Sequence, residues 1–162
     1  MGGKTILEAT SGNTGIALAM LGALYGYRVK IIMSELELVE RRKIIRAYGT
    51  ELILTPAKQG EVGAINLRNE ILRKRPRKFV CFDQFNNPEN LVAHYETTAK
   101  EILIQTKGKL DMVVLSLGTG GTAMGVAKRF KKEKPRVKIV GVIPKADVSI
   151  AGLMPLVNIE KF

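Results

Sequence analysis

The stretch Thr10-Ser-Gly-Asn-Thr-Gly15 stands between two apolar segments of the chain. Residues 5–9 before it are short and apolar enough for a buried β-strand, and residues 16–24 after it suit a well-buried helix. At such a turn the first N–H groups of the helix have no intrahelical partner, and with the helix dipole they favour a carboxylate or a phosphate. The two glycines let the backbone approach a ligand, and the Ser, Asn and Thr side chains add donors. The alternative is that these residues only cap the helix.

The composition predicts a folded, globular protein. The chain has 162 residues, of which 46% are hydrophobic, enough for one domain with a core or for two small lobes. No apolar run reaches the roughly 18 residues of a membrane span, and no signal peptide opens the sequence, so we expect a cytoplasmic location and no membrane partner. Cys81 is predicted to lie in the core, and His94 has no second His or nearby Cys with which to bind a metal.

The chain is strongly basic, with 26 Lys and Arg against 15 Asp and Glu and a formal net charge of +11. Such a charge is compatible with nucleic-acid binding. The basic residues are nevertheless scattered over every predicted helix, and the chain has no Trp, four Tyr and five Phe to place between them. We therefore interpret the positive charge as belonging to solvated faces of the helices. Nucleic-acid binding ranks below the other functions, and we expect no nucleic-acid partner.

Strand and helix patterns alternate along the chain. Strands are predicted at residues 5–9, 28–33, 51–55, 79–82, 112–117 and 137–143, and helices at about 13–25, 38–48, 64–74, 91–105 and 123–133. This alternation implies right-handed βαβ crossovers and a parallel sheet with helices on both faces, which is an α/β fold of three layers, αβα. Ligands of such sheets bind at the carboxyl ends of the strands. Three polar loops, residues 10–15, 83–90 and 118–122, are expected to converge there.

The loop Gly118-Thr-Gly-Gly-Thr122 has the pattern of a phosphate cradle, because it follows a predicted buried strand and opens a helix. With Ala123 it also matches the loose Gly-x-Gly-x-x-Ala dinucleotide pattern. That pattern requires an acidic residue at the end of the next strand to hold the ribose, and Asp147 comes too late. The sequence contains no Gly-Lys-Ser/Thr phosphate loop either. These residues therefore predict a bound phosphate that is not part of a dinucleotide.

Five short segments resemble the cysteine synthase family in their order and spacing. They are Ser11–Gly15, Glu40–Arg42, Gln84–Asn90, His94–Thr98 and Gly118–Thr122, and the resemblance extends over about Gly3 to Pro144. The members of this family are O-acetylserine sulfhydrylases, pyridoxal-phosphate enzymes of fold type II, the tryptophan-synthase-β-like fold. The resemblance implies cysteine biosynthesis by β-replacement on O-acetylserine, in which acetate is eliminated and sulfide is added.

The resemblance also implies roles for individual residues. The phosphate of the cofactor, pyridoxal 5′-phosphate, would be held by Gly118, Thr119, Gly120, Gly121 and Thr122, and the 3′-oxygen of its ring by Asn13. The carboxylate of the amino-acid substrate would be bound by Thr10, Ser11, Gly12, Asn13, Thr14 and Gln84. The physical reason is general, since the cofactor is an electron sink and the protein's donors fix its orientation and the anion of the substrate.

In the family, the Schiff-base lysine lies in a segment before the first strand. Only Met1 to Lys4 precede that strand here, and they are expected not to contain this segment. We therefore predict no catalytic residue in this chain and expect an internal fragment that is inactive by itself. Residues 1–107 would form the small mobile domain and residues 108–162 an incomplete large domain, and the complete enzyme would be a homodimer. The alternative is a truncated paralogue that binds an amino acid or a phosphate compound without catalysis.

Overall fold

The computed structural model describes residues 3–10, 12–145, 148, 150 and 152–153, and the chain forms two compact units, Met1–Asp83 and Gln84–Phe162. The first unit contains β1 (Thr5–Ala9), α1 (Asn13–Tyr25), β2 (Val29–Ser34), α2 (Val39–Ala47), β3 (Glu51–Thr55), α3 (Gly60–Lys74) and β4 (Phe79–Val80). The second contains α4 (Pro88–Glu96), α5 (Thr98–Gln105), β5 (Met112–Ser116), α6 (Gly121–Glu133) and β6 (Lys138–Val142). None of the helices described has the length and hydropathy that a bilayer span requires.

A parallel sheet in the order β3-β2-β1-β4 forms the centre of the first unit. Because successive strand residues point to opposite faces, the apolar residues of β1 and β2 divide between two clusters. The cluster toward α1 and α2 contains Ile6, Ala19, Val29, Ile31, Met33 and Ile45, and the cluster toward α3 contains Leu7, Ala9, Ile32, Ala64 and Phe79. Helices thus cover both faces of the sheet, and the three-layer arrangement predicted from the sequence is confirmed in this unit.

The second unit is built on a two-stranded parallel sheet. β5 pairs with β6 from Met112 opposite Lys138 to Ser116 opposite Val142. A hydrophobic cluster joins Ala99 of α5 and Val113 of β5 to Val126 and Phe130 of α6. α4 packs along α6, so that the segment between β4 and β5 contacts the helix that follows β5.

Some of the predicted elements differ from those of the structure. The prediction of one sheet is wrong, since β5 and β6 pair with each other in a sheet of their own. The helix predicted at 91–105 starts earlier, at Pro88, and is divided at Thr97, whose hydroxyl donates to the carbonyl oxygen of Ala93 at 2.7 Å. The helix predicted from Ala64 begins already at Gly60, after a 3-10 turn at Ala57–Gln59, and β4 has two residues rather than four.

The compact units divide the chain at a different place from the boundary expected after residue 107. Helices α4 and α5 precede that boundary in sequence, but they pack with α6 inside the second unit. The sequences of α4 and α5 do not by themselves indicate which unit these helices pack in. The assignment of residues 1–107 to a mobile small domain stays a prediction.

Candidate functional site

The turn after β1 lies in the first unit, at the carboxyl end of its sheet. Thr10 is buried, and its N–H continues the β1–β2 ladder by donating to the carbonyl oxygen of Ile32 at 3.1 Å. The residue before α1 is Gly12, whose N–H donates to Thr10 Oγ1 at 3.3 Å. Since Gly12 has no side chain, no side-chain cap comes from this position. Ser11, predicted to bind the substrate carboxylate, lies outside the described residues.

The first turn of α1 offers backbone donors to an anion. Its first intrahelical hydrogen bond runs from the Ile16 N–H to the Gly12 carbonyl oxygen at 2.9 Å, so the N–H groups of Asn13 and Gly15 lie ahead of the regular ladder. The first turn contains no acidic residue that would occupy the same place. Asn13 is exposed and Thr14 is half-buried. This turn is therefore suited to a carboxylate that approaches from solvent.

Arg41 of α2 lies directly against this turn. A Cβ atom placed on Gly12 would come within 2.6 Å of Arg41 Cδ and 2.9 Å of Arg41 Nε, so a side chain there would displace the end of Arg41. Arg41 Nη1 lies 3.3 Å from Glu37 Oε2, which orients the fork. The guanidinium adds positive charge beside the first turn of α1. From the sequence, Arg41 is recognisable only as part of the segment Glu40–Arg42, with no indication that it contacts Gly12.

The loop Gly118–Thr122 follows β5 and opens α6 in the second unit. Gly120 has φ +87°, a left-handed conformation that favours glycine, and the first helical bond runs from the Met124 N–H to the Gly120 carbonyl oxygen at 2.9 Å. The N–H groups of residues 121–123 therefore precede the helical ladder. The first turn of α6 has no acidic residue. Such a turn is suited to an anion, and its use as a phosphate cradle stays a prediction.

Side chains of α4 fix the two threonines of this loop. Asn90 Nδ2 donates to Thr119 Oγ1 at 2.8 Å and to the carbonyl oxygen of Gln84 at 2.9 Å. Because Thr119 accepts this bond, its own proton is left for another acceptor. His94 Nε2 lies 3.1 Å from Thr122 Oγ1, and its Nδ1 lies 2.9 Å from Thr98 Oγ1. Asn90 and His94 belong to the segments of the resemblance, but from the sequence neither is predicted as a site residue, because the contacts bridge 28 or 29 positions along the chain.

The predicted site residues thus fall into two groups. Thr10, Gly12, Asn13 and Thr14 lie together at the start of α1 in the first unit. The five residues of the loop 118–122 lie together at the start of α6 in the second unit, where Gln84 is connected to them through Asn90. Each group can bind one anion through the N-terminal turn of a helix.

Cys81 and groups of metal-binding side chains are the other features that could support chemistry. Cys81, predicted to lie in the core, is half-buried, and its thiol donates to Glu8 Oε2 at 3.4 Å. Burial, with the negative charge of Glu8, raises the pKa of Cys81 to about 11, which keeps the thiol protonated near neutral pH. Within the part of the chain that the structure describes, no group of three or more His, Cys, Asp or Glu side chains is arranged to hold a metal ion.

Comparison with known proteins gives consistent results for sequence and structure. A family model described as "Pyridoxal-phosphate dependent enzyme" matches residues 1–157. Cysteine synthase B of Escherichia coli is 48% identical over 151 residues, which are 93% of this chain and 49% of that protein. The cysteine synthase of Aquifex aeolicus is 47% identical over 142 residues, 88% of this chain and 43% of that protein. The chain thus spans about half the length of the curated relatives that it matches.

Solved structures with the same fold include a cysteine synthase from Entamoeba histolytica. It superposes with a TM-score of 0.84 at 46% identity, over 91% of this chain and 44% of that chain. An O-ureido-L-serine synthase superposes with a TM-score of 0.87 at 41% identity, over 96% of this chain and 52% of that chain. Each of these proteins thus shares the fold of this chain over about half of its own length.

Proposed function

This chain belongs to the family of pyridoxal-phosphate-dependent enzymes, and we propose that the protein takes part in cysteine biosynthesis, by β-replacement on O-acetylserine. Acetate leaves the β-carbon of the substrate and sulfide takes its place. The observation that carries the proposal is the loop 118–122, in which two threonine hydroxyls bound by side chains of α4 stand at the N-terminal turn of α6. The relatives named cysteine synthase support the choice of reaction within the family.

The residues of this loop fit the phosphate of pyridoxal phosphate. A Cβ atom on Gly121 would collide with the side-chain amide of Asn90, which binds Thr119, so a glycine at this position leaves that amide in place. Backbone N–H groups of residues 121–123 and the hydroxyls of Thr119 and Thr122 supply the donors that phosphate oxygens require. When bound, pyridoxal phosphate withdraws electrons from the substrate and so allows the β-substituent to leave. The chain's part is to hold the phosphate, and Asn13 is assigned to the 3′-oxygen of the ring.

We assign the substrate carboxylate to the turn after β1. The resemblance gives this role to Thr10, Ser11, Gly12, Asn13, Thr14 and Gln84. The first N–H groups of α1 and the side-chain amide of Gln84 are donors that a carboxylate can use. The dipole of α1 and the positive charge of Arg41 both favour an anion at this place. Because each donor interacts with a charged carboxylate, each hydrogen bond is stronger than one between neutral groups. These residues orient the amino acid and leave its β-carbon free to react.

The activity is tested on the full gene product with O-acetylserine and sulfide. We expect acetate release and visible absorbance from protein-bound cofactor. Replacing Gln84 by Ala removes a hydrogen bond to a charged group, worth about 1.5–3 kcal/mol, and is expected to raise KM for O-acetylserine roughly 10- to 150-fold. Gln105→Ala, an exposed residue of α5, is the matched control and is expected to leave KM unchanged. A gene product without acetate release or cofactor absorbance contradicts the proposed function.

We propose further that the 162-residue polypeptide does not catalyse this reaction by itself. The five segments that carry the resemblance contain no lysine, so they supply no candidate for the Schiff base. A polypeptide of these 162 residues, purified and incubated with pyridoxal phosphate, is expected to release no acetate. Calorimetry with serine, O-acetylserine and phosphate then tests the alternative function of a non-catalytic binding module, which predicts saturable heat with one of the three. Acetate release by this polypeptide would show that another lysine serves.

The remaining assignments rest on the sequence pattern for the location and on the resemblance for the other two. We propose that the protein is cytoplasmic, that the complete enzyme is a homodimer, and that residues 1–107 move as a small domain. Analytical ultracentrifugation of the gene product tests the homodimer, and fractionation of the source cells tests the location.

A further inference from the structure

A buried ionic cluster lies at the carboxyl ends of β1 and β4 in the first unit. The Glu8 side chain is fully buried and that of Arg68 is 6% exposed. Arg68 Nη1 lies 3.1 Å from Glu8 Oε1 and 3.1 Å from Asp83 Oδ1, and the other guanidinium nitrogens donate to Asn69 Oδ1. Burial by itself would lower the pKa of Arg68, but the neighbouring negative groups raise it overall, so the guanidinium stays charged. A fully buried carboxylate on a strand is rare enough to require an explanation.

The Glu8 carboxylate continues the contact between β1 and β4 where the backbone ladder ends. The ladder contains only the pairs Thr5–Phe79 and Ile6–Val80. Beyond it, Glu8 Oε2 accepts the N–H of Asp83 at 2.8 Å and the thiol of Cys81 at 3.4 Å. Glu8 Oε1 accepts the N–H of Ala9 at 3.1 Å, which fixes the side chain against its own strand. A side chain therefore does here what main-chain pairing does elsewhere in the sheet.

Asp83 has a left-handed backbone conformation and is held by two side chains. Its φ is +47°, in a region where Asp is found more often than most residues other than glycine. Its N–H is held by Glu8 and its carboxylate by Arg68. The next residue is Gln84, whose carbonyl oxygen accepts the hydrogen bond from Asn90 at 2.9 Å. Asp83 is thus held at both its N–H and its carboxylate.

We propose that Glu8, with Arg68 as its counter-ion, is a positioning residue that holds Gln84 in place for the substrate carboxylate. This inference rests on the proposed function, because it gives Glu8 a role only through the assignment of Gln84 to the substrate. Glu8 itself does not contact the substrate. It acts through Asp83, whose N–H it binds and which directly precedes Gln84 in the chain.

The test combines Glu8→Gln with Gln84→Ala in the full gene product. An amide has one acceptor oxygen, so it cannot accept the four hydrogen bonds that the two oxygens of Glu8 receive. We expect KM for O-acetylserine to rise roughly tenfold with kcat changed by less than about twofold. In the Gln84→Ala background, Glu8→Gln is expected to cause no further rise, because both changes act through one contact. Glu70→Gln, an exposed pair with Lys74 on α3, is the matched control.

A second measurement does not depend on activity. In the 162-residue polypeptide, amide hydrogen exchange at Asp83 is expected to be roughly tenfold faster after Glu8→Gln, since one hydrogen bond is lost, while exchange in β2 is unchanged. If the Glu8→Gln protein does not fold, Arg68→Lys replaces it. This variant keeps the positive charge but lacks the planar fork, and the same rise in KM is expected.

The outcomes distinguish the inference from the proposed function. A loss of active protein at unchanged KM means that Glu8 is only structural, and it overturns the inference. A rise in KM that is the same with and without Gln84, or unchanged exchange at Asp83, overturns it as well. A wild-type gene product that releases no acetate overturns the proposed function and, with it, the role given to Glu8.

Discussion

Arg68 is the residue whose loss we expect to destabilise the first unit most. Replacing it by Met leaves Glu8 fully buried without its counter-ion, and removing one partner of a buried pair costs about 3–5 kcal/mol. The free energy of unfolding of the 162-residue polypeptide, measured in urea, is expected to fall by this amount. Arg73→Met on the same helix is exposed and is expected to change it by less than about 0.5 kcal/mol. Equal effects of the two substitutions would contradict a buried ion pair.

Cys81 makes the stability of the fold depend on pH in the alkaline range. Burial, followed by the charge of Glu8, raises the pKa of Cys81 from 9.0 to about 11. Between these values the native state keeps a proton that the unfolded chain has lost, so stability falls as pH rises from about 9 through about 11. Cys81→Ser removes this titration and keeps a donor for Glu8. We expect the melting temperature of wild type to decrease more steeply than that of Cys81→Ser between pH 8 and 10.5, and parallel curves would refute the shift.

At the scale of elements, the start of α6 depends on the contact between Gly121 and Asn90. Gly121→Ala would gain up to about 1 kcal/mol from helix propensity, but the added Cβ meets Asn90 Oδ1 at 2.0 Å. Overpacking of this kind costs about 1–3 kcal/mol, and a displaced Asn90 releases Thr119 and Gln84. We therefore expect net destabilisation in urea and weaker binding of pyridoxal phosphate to the gene product in dialysis. Met124→Ala, exposed on the same helix, serves as control, and a Gly121→Ala protein as stable as wild type would contradict the contact.

The elements themselves were largely predictable, because their signals are local. β1 and α1 lie where the apolar segments and the turn after Ala9 place them. The division at Thr97 was not predictable, since it follows from the hydroxyl of Thr97 binding the Ala93 carbonyl oxygen inside a sequence that is periodic on both sides. The pairing of β5 with β6 alone was not predictable either, because strand order depends on contacts that no single segment encodes.

The candidate site shows the same limit. Gly-rich turns before helices identify the two anion-binding loops from the sequence, since the required backbone donors are local. The residues that hold those loops are distant in sequence. Arg41 lies against Gly12, Asn90 binds Thr119, and Glu8 pairs with Arg68 across 60 positions. In the sequence, Glu8 is one polar residue in an apolar strand. Its burial is explained only by the position of Arg68 in the structure.

At the scale of the whole molecule, the second unit exposes one face of its sheet. Val113 and Ile139 point into the core, whereas Met112, Val114, Val140 and Val142 on the opposite face are 37–58% exposed. A two-stranded sheet is marginal without packing on its apolar surfaces, and an exposed apolar patch favours association. The same four residues are present in every copy, so two copies can cover each other's faces.

We therefore expect the 162-residue polypeptide to self-associate as its concentration rises. Val114→Lys places a charge at the centre of this face, and like charges would then meet in a pair of copies. Sedimentation velocity at increasing concentration is expected to show a larger mean mass for wild type than for Val114→Lys. Val92→Lys makes the same substitution at an exposed valine of α4, 40% exposed, and this variant is expected to associate like wild type. Of these two positions only Val114 lies on the sheet face. If the two lysine variants behave alike, net charge rather than this face governs the association.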